Sequence, residues 1–209
     1  MAKLFLVRHG KSAWNATGQW TGWTDVDLAP EGFEEAKKAG EALKNEQIDK
    51  VYVSELKRTH QTFEKIKETC GQLGLTCTID KALNERNYGV HTGKNKWEVK
   101  EEVGEEEFNN IRRGWDVKIP DGETLKDVYT RVVPYYEENI KKDLEAGKNV
   151  LVVAHGNTLR ALVKHLENLD ENQVCDVELA TGEVNCYEVD DTGKAESQGV
   201  LGEKRENTV

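Results

Sequence analysis

Two histidines sit in matching surroundings: Val7-Arg8-His9-Gly10 near the N-terminus and Ala154-His155-Gly156-Asn157 far along the chain. Each follows an apolar run and precedes a glycine. A neutral imidazole is a good nucleophile near pH 7, and its phosphoramidate is reactive enough to pass a phosphoryl group on. Phosphoryl transfer otherwise needs positioning and charge stabilisation around three oxygens. Arginine's planar fork suits that task better than lysine. Arg8 adjoins the first histidine, and Arg58, Arg112 and Arg113 fall at expected loop or helix-start positions. Ser12 and Asn15 follow His9 closely. A metal site is the competing reading, since histidine is the commonest metal ligand. Neither histidine has a second His or Cys at ligand spacing, which favours an anion over a metal. A hydroxyl that accepts or releases phosphate also needs a proton partner. Glu85 is one glutamate among many, and pattern alone gives it no priority.

The elements that must hold these residues follow from periodicity. Lys3 to Val7 reads as a short buried strand, and Val150-Leu151-Val152-Val153 as a strand covered on both faces. Val51 to Ser54 is a strand, Cys77 to Ile79 a weak one, and Val184 to Val189 a last one. Helical spacing follows Pro30 (Phe33, Ala36, Gly40, Leu43) and Leu56 (Phe63, Ile66, Cys70, Leu73). A long helix is expected from near Glu123 to Gly147, kinked at Pro134. Another follows His155, with Leu159, Leu162, Leu166 and Leu169 on one face. Strands alternating with helices predict an α/β fold with a mostly parallel sheet. In such sheets ligands bind beyond the carboxyl ends of strands, where both histidines fall. A helix start after each supplies free backbone N–H groups for an anion, and the glycines let backbone approach closely.

Residues 1–209 read as a single domain, with 83–122 an insertion beside the site and 190–209 a polar, poorly ordered tail. Charged residues make up 33% of the chain and the formal net charge is -10. That field disfavours non-specific nucleic-acid or anionic-membrane binding, and a small anionic substrate needs a local cluster of arginines. No apolar run approaches a membrane span. Leu4-Phe5-Leu6-Val7 is too short for a signal peptide core, so a cytoplasmic location is expected. Cys70, Cys77, Cys175 and Cys186 show no metal-type pairing and read as reduced structural thiols.

Leu6-Val7-Arg8-His9-Gly10 resembles the signature of the histidine phosphatase superfamily. Thr21-Gly22-Trp23, Leu56-Lys57-Arg58, Leu83-Asn84-Glu85-Arg86 with Tyr88-Gly89, Asn95-Lys96, Arg112-Arg113-Gly114 and the run Ala154 to Leu162 narrow the resemblance to the cofactor-dependent phosphoglycerate mutases. It spans about residues 3 to 189. The resemblance implies a three-layer α/β/α fold and an isomerase of glycolysis and gluconeogenesis. That enzyme interconverts 3- and 2-phosphoglycerate through phospho-His9, is primed by 2,3-bisphosphoglycerate and needs no metal. By the same resemblance Glu85 donates and accepts the proton, and Arg8, Arg58 and His155 surround the transferring phosphoryl group. Ser12, Asn15, Gly156 and Asn157 complete that pocket, and Thr21, Gly22, Tyr88, Lys96, Arg112 and Arg113 hold the rest of the substrate.

The chain departs from the family pattern at Lys11, Trp20, Ala29, Asn87, Val90-His91-Thr92 and Glu183 to Cys186, and it is short between Arg113 and Glu123. The short segment leaves monomer and homo-oligomer both open. Three other readings compete. One is a phosphatase of the same superfamily acting on small phosphomonoesters, and one is a bisphosphoglycerate synthase. The third is a non-enzymatic binder of phosphorylated partners, which the presence of both His9 and Glu85 counts against.

Overall fold

In the computed structural model, which describes residues 1–204, the apolar runs ahead of the two histidines lie side by side. They are strands β1 (Ala2–Arg8) and β4 (Val150–Ala154), parallel, with Leu4 opposite Val150 and Arg8 opposite Ala154. With β2 (Lys50–Val53), β3 (Cys77–Ile79), β5 (Val184–Val189) and β6 (Ala195–Leu201) they form one sheet in the order β3-β2-β4-β1-β5-β6. The pairs β3-β2, β2-β4 and β4-β1 are parallel, while β5 and β6 run antiparallel. All five residues of β4 are buried, as a continuous apolar run requires at the centre of a covered sheet.

Helices cover both faces. On one lie α2 (Pro30–Ala42) and α3 (Lys57–Cys70), packed over Phe5, Val7, Val51, Val53, Leu151 and Val153. On the other lie α6 (Leu125–Tyr135) and α8 (Gly156–Leu166), over Leu4, Leu6, Val150 and Val152. The three-layer α/β/α expectation therefore holds. The helix stripes differ in detail. Phe33 is 37% exposed, at the margin of the α2 face buried through Gly32, Ala36, Ala39 and Gly40. A Cβ at Gly40 would fall 2.6 Å from Thr69 Cβ, so that close approach needs glycine. Leu73 is 69% exposed, since α3 has already ended at left-handed Gly71 and the helical period no longer applies. Ala29 leaves the start of α2 without a side-chain cap.

The long helix begins at a capping box, with Thr124 and Asp127 satisfying each other's backbone N–H. Pro134 has no N–H to offer the preceding turn. The helix widens just beyond it into a π-helical turn (Tyr136–Ile140) and resumes as α7 (Lys141–Glu145) before Gly147 at φ 78°.

Residues 83–122 contain a 3₁₀ turn (Gly89–His91), α4 (Lys96–Val103) and α5 (Glu105–Arg113). They close over a small core of their own, in which Trp20, Tyr88, Val99, Phe108, Ile111 and Ile119 pack together. Two short helices remain, α1 (Ala13–Ala16) and α9 (Gln173–Asp176).

The tail expectation is corrected. Asp190 Oδ1 accepts from the backbone N–H groups of Thr192 and Lys194, which turns the chain back into β6 against β5. Its polar composition suits an edge strand with one face in water. Residues 205–209 of the expected tail lie outside the described residues. Among the described residues no helix is long and apolar enough to cross a membrane.

Candidate active site

β1 and β4 end together, and His9 N–H donates to Ala154 O at 3.0 Å. The rings of His9 and His155 consequently meet edge-on, 4.9 Å between centroids. His9 Nδ1 lies 2.7 Å from Gly10 O. A carbonyl only accepts, so Nδ1 carries the proton and the Nε2 lone pair is the nucleophilic atom. Gly10 lies against Gly32 in the first turn of α2, and a Cβ at either glycine would overlap the other segment's backbone. The nucleophile's loop is thereby wedged between α2 and the hydroxyl of Thr62, which accepts from Gly10 N–H at 3.0 Å.

Arg58, in the first turn of α3, is 1% exposed. Its Nη1 donates to Thr24 O (3.0 Å) and its Nη2 to Gly22 O (2.9 Å), which aims Nε at His9 Nε2, 3.3 Å away. His155 Nε2 is 2.8 Å from Ser54 Oγ at the end of β2. Thr59 spends its proton on Leu56 O at 2.8 Å. Ser54 Oγ also lies 3.0 Å from Thr59 Oγ1, so its single proton goes either to Thr59, with His155 Nε2–H donating to Ser54, or to His155 Nε2; the second arrangement leaves His155 Nδ1–H as a donor. That Nδ1 is buried and has no partner among the described residues, as expected of a group that awaits an anion.

Glu85 follows a 3₁₀ turn (Lys81–Leu83) and sits 9% exposed at the same edge. Its Oε1 accepts from Arg86 N (2.8 Å), Asn157 N (3.2 Å) and Asn157 Nδ2 (3.4 Å). The other oxygen, Oε2, lies on the side of Gly156 and Arg8. Trp23 Nε1 (2.6 Å) and Arg131 Nη2 (3.0 Å) both donate to the Glu85 backbone carbonyl, so the residue is held from two sides.

Lys96 starts α4 because Asn95 caps it, Oδ1 accepting from Trp97 N–H. Its ammonium is buried with no salt bridge among the described residues, and burial, with Arg112 and Arg8 nearby, lowers its pKa to about 8. Arg112 and Arg113 end α5; desolvation and Arg113 also lower Arg112. Arg113 is engaged by the Glu178 carboxylate. Six cationic side chains (Arg8, Arg58, Lys96, Arg112, Arg113, Arg160) and two carboxylates (Glu85, Glu178) line the one cavity that holds His9. That local excess of positive charge is what a small polyanion needs on a chain of net charge -10.

The cavity brings together Arg8, His9, Asn15, Thr21, Gly22, Arg58, Glu85, Tyr88, Lys96, Arg112, Arg113, Gly156 and Asn157, while His155 lies behind His9. Ser12 does not line it. Its hydroxyl is spent capping α1 in a reciprocal box with Asn15, a local use that competes with any ligand.

Residues 4–198 match the histidine phosphatase superfamily (branch 1). The chain belongs to the histidine phosphatase superfamily. Within it, a 2,3-bisphosphoglycerate-dependent phosphoglycerate mutase of Cytophaga hutchinsonii is 45% identical over 90% of this chain and 88% of its own. One from Parvibaculum lavamentivorans is 41% identical over 96% and 97%. The solved structure of mycobacterial glucosyl-3-phosphoglycerate phosphatase superposes with a TM-score of 0.82 at 22% identity, covering 97% of this chain and 100% of that one. At that identity the likeness is one of fold.

Of the family-pattern departures only Trp20 lines the cavity. Lys11 N–H donates to Glu35 Oε2. Asn87 Oδ1 accepts from Gly89 N–H and so shapes a turn, and His91 leans on Trp20 with centroids 5.2 Å apart. The sequence assigned no role to Ser54, Trp23, Arg131 or Arg160, although Trp23 and Arg160 stand within segments that carry the family resemblance. Only their long-range hydrogen bonds give them away.

Both site histidines are held neutral far below the ordinary histidine range, chiefly by burial and then by Arg58. An unfolded chain protonates them near pH 6.5, so it binds more protons than the folded one below that value. Stability should therefore fall as pH drops through about 6.5, by up to about 1.4 kcal/mol per pH unit for each histidine. Urea midpoints at pH 7.5 and 5.5 check this, and replacing His155 by glutamine should reduce the slope.

Proposed function

We propose that the chain interconverts 3-phosphoglycerate and 2-phosphoglycerate through phospho-His9, primed by 2,3-bisphosphoglycerate. The observation that carries the reading is a second set of cations beyond those around His9. Lys96, Arg112 and Arg113 border the same cavity as Arg8 and Arg58, and Lys96 is buried with no salt bridge among the described residues. A monoester phosphatase has no use for that second set, whereas a phosphoglycerate carries a carboxylate besides its phosphate. The names of relatives at 41–45% identity support the same substrate.

In this reading the His9 Nε2 lone pair attacks phosphorus in line. The P–O bond breaks, its electron pair stays on the glycerate oxygen, and the Glu85 carboxyl gives that oxygen a proton. Arg58 Nε–H and His155 Nδ1–H meet the equatorial oxygens. In the return step the Glu85 carboxylate takes the acceptor hydroxyl's proton as its oxygen attacks, and the P–N electron pair returns to Nε2. Bound 2,3-bisphosphoglycerate supplies the phosphoryl group that charges His9. Thr21, Tyr88, Asn15, Gly22, Gly156 and Asn157 shape the cavity around the substrate, and no metal takes part.

The test is conversion of 3- to 2-phosphoglycerate with and without added 2,3-bisphosphoglycerate, each with and without a chelator. Steep stimulation by the bisphosphate, unchanged by the chelator, is the expected result. Rapid phosphate release from simple monoesters with no mutase turnover would replace this reading with a phosphatase. The solved phosphatase with the same fold keeps that second reading alive.

A further inference from the structure

Arg160 is the most deeply tied of the cations at the cavity wall that no step of the cycle uses. It lies in α8, one turn beyond Asn157, with 7% of its surface exposed. No carboxylate pairs with it among the described residues. Its Nη2 instead donates to three backbone carbonyls: Val174 (2.8 Å), Cys175 (3.0 Å) and Arg113 (3.4 Å). Its Nη1 donates to Asn157 Oδ1 at 3.2 Å. Those contacts gather α9, the end of α5 and the start of α8 around one guanidinium.

The contact with Asn157 has a directional consequence. A guanidinium only donates, so it selects the amide oxygen of Asn157. The amide nitrogen must then face the opposite way, where Glu85 Oε1 (3.4 Å) and Tyr88 OH (2.8 Å) lie. A flipped amide would set NH₂ against guanidinium and oxygen against carboxylate. We propose that Arg160 is a positioning residue that sets the Asn157 amide and, through it, the orientation of the Glu85 carboxyl for proton transfer. This rests on the reading of His9 and Glu85 given above.

The test exploits leaving groups. 2,4-Dinitrophenolate departs without a proton, so phosphorylation of His9 by 2,4-dinitrophenyl phosphate does not need Glu85. An alkyl ester such as a phosphoglycerate does. In Arg160→Met, kcat on phosphoglycerate should fall about 10- to 100-fold, as for other disturbed supporting contacts. The rate constant of the dinitrophenolate burst at saturating ester should fall several-fold less than kcat on phosphoglycerate, whatever the lost cation costs in binding. Arg160→Lys keeps the buried charge but not the fork, and should show the same split, so the test survives if the apolar variant does not fold. Combining Arg160→Lys with Asn157→Ala should cost no more than Asn157→Ala alone, because both act on one path. Equal losses on both esters, or additive losses in the double variant, would overturn the proposal and leave Arg160 a purely structural tie. If the parent enzyme itself gives no burst, the phospho-His9 reading fails and this inference falls with it.

Discussion

Replacing His9 by alanine is expected to abolish both phosphoenzyme formation and turnover, a loss on the order of 10⁴- to 10⁶-fold in kcat. No neighbour can take over. His155 is the other imidazole at the site, but its Nε2 is engaged by Ser54, and its Nδ1 serves as a donor in the proposed cycle. Arg58 Nε addresses the lone pair of His9 and would face an empty space in the variant. The measurement is incorporation of label from [³²P]2,3-bisphosphoglycerate into acid-labile, base-stable protein phosphate, alongside the mutase assay. Circular dichroism and binding of orthovanadate establish that the variant is folded with its cation cluster intact. Full turnover in His9→Ala would rule out a covalent route through this residue.

Glu85→Gln carries the second-largest expected effect. Glutamine keeps the volume and an oxygen to accept from Arg86 N–H and Asn157 N–H. It can neither give nor take a proton. Turnover of phosphoglycerate should fall about 10²- to 10⁴-fold, the usual worth of a positioned acid–base. The dinitrophenolate burst should be nearly unchanged, and the later breakdown of phospho-His9 by water should slow as the base is lost. A uniform loss on both esters would mean that Glu85 acts only through its charge, and the proton partner would have to be sought elsewhere in the cavity. Comparison with the Arg160 variants then separates the group that moves the proton from the group that aims it.

How much of this was readable before the structure depends on how local the signal is. His9 and His155 were legible because buried parallel strands are continuous apolar runs, and both runs stop at a His-Gly pair. Arg58 was legible because one helical turn separates it from the end of β2. Glu85 was not, since nothing around it distinguishes it from other glutamates; only the family resemblance picked it out. Trp20 read as a departure from the family pattern, yet it is the centre of the small core that carries Lys96 and α5 to the cavity. Ser12 is a case in which local structure adds what the sequence did not give. Only the resemblance gave it a phosphate contact, and its hydroxyl caps its own helix in the structure. Strand β6 escaped because an edge strand in water has the composition of a tail.

The sheet order has a consequence for how the protein is made. Strand β1, which ends at the nucleophile, has β4 and β5 as its two neighbours: Leu4 pairs with Val150, and Ala2 with Val189. Both neighbours are translated in the final third of the chain. At about 5–20 residues per second, the run Leu4–Val7 waits on the order of 10 s on the ribosome before either arrives. During that interval it is an unpaired apolar segment of the nascent chain, open to chaperones and to wrong partners. A chain stalled between His9 and Val150 has the nucleophile but no floor beneath it. Competence for phosphoryl transfer therefore waits until β4 has been made, and termination before it yields inert fragments rather than partly active ones.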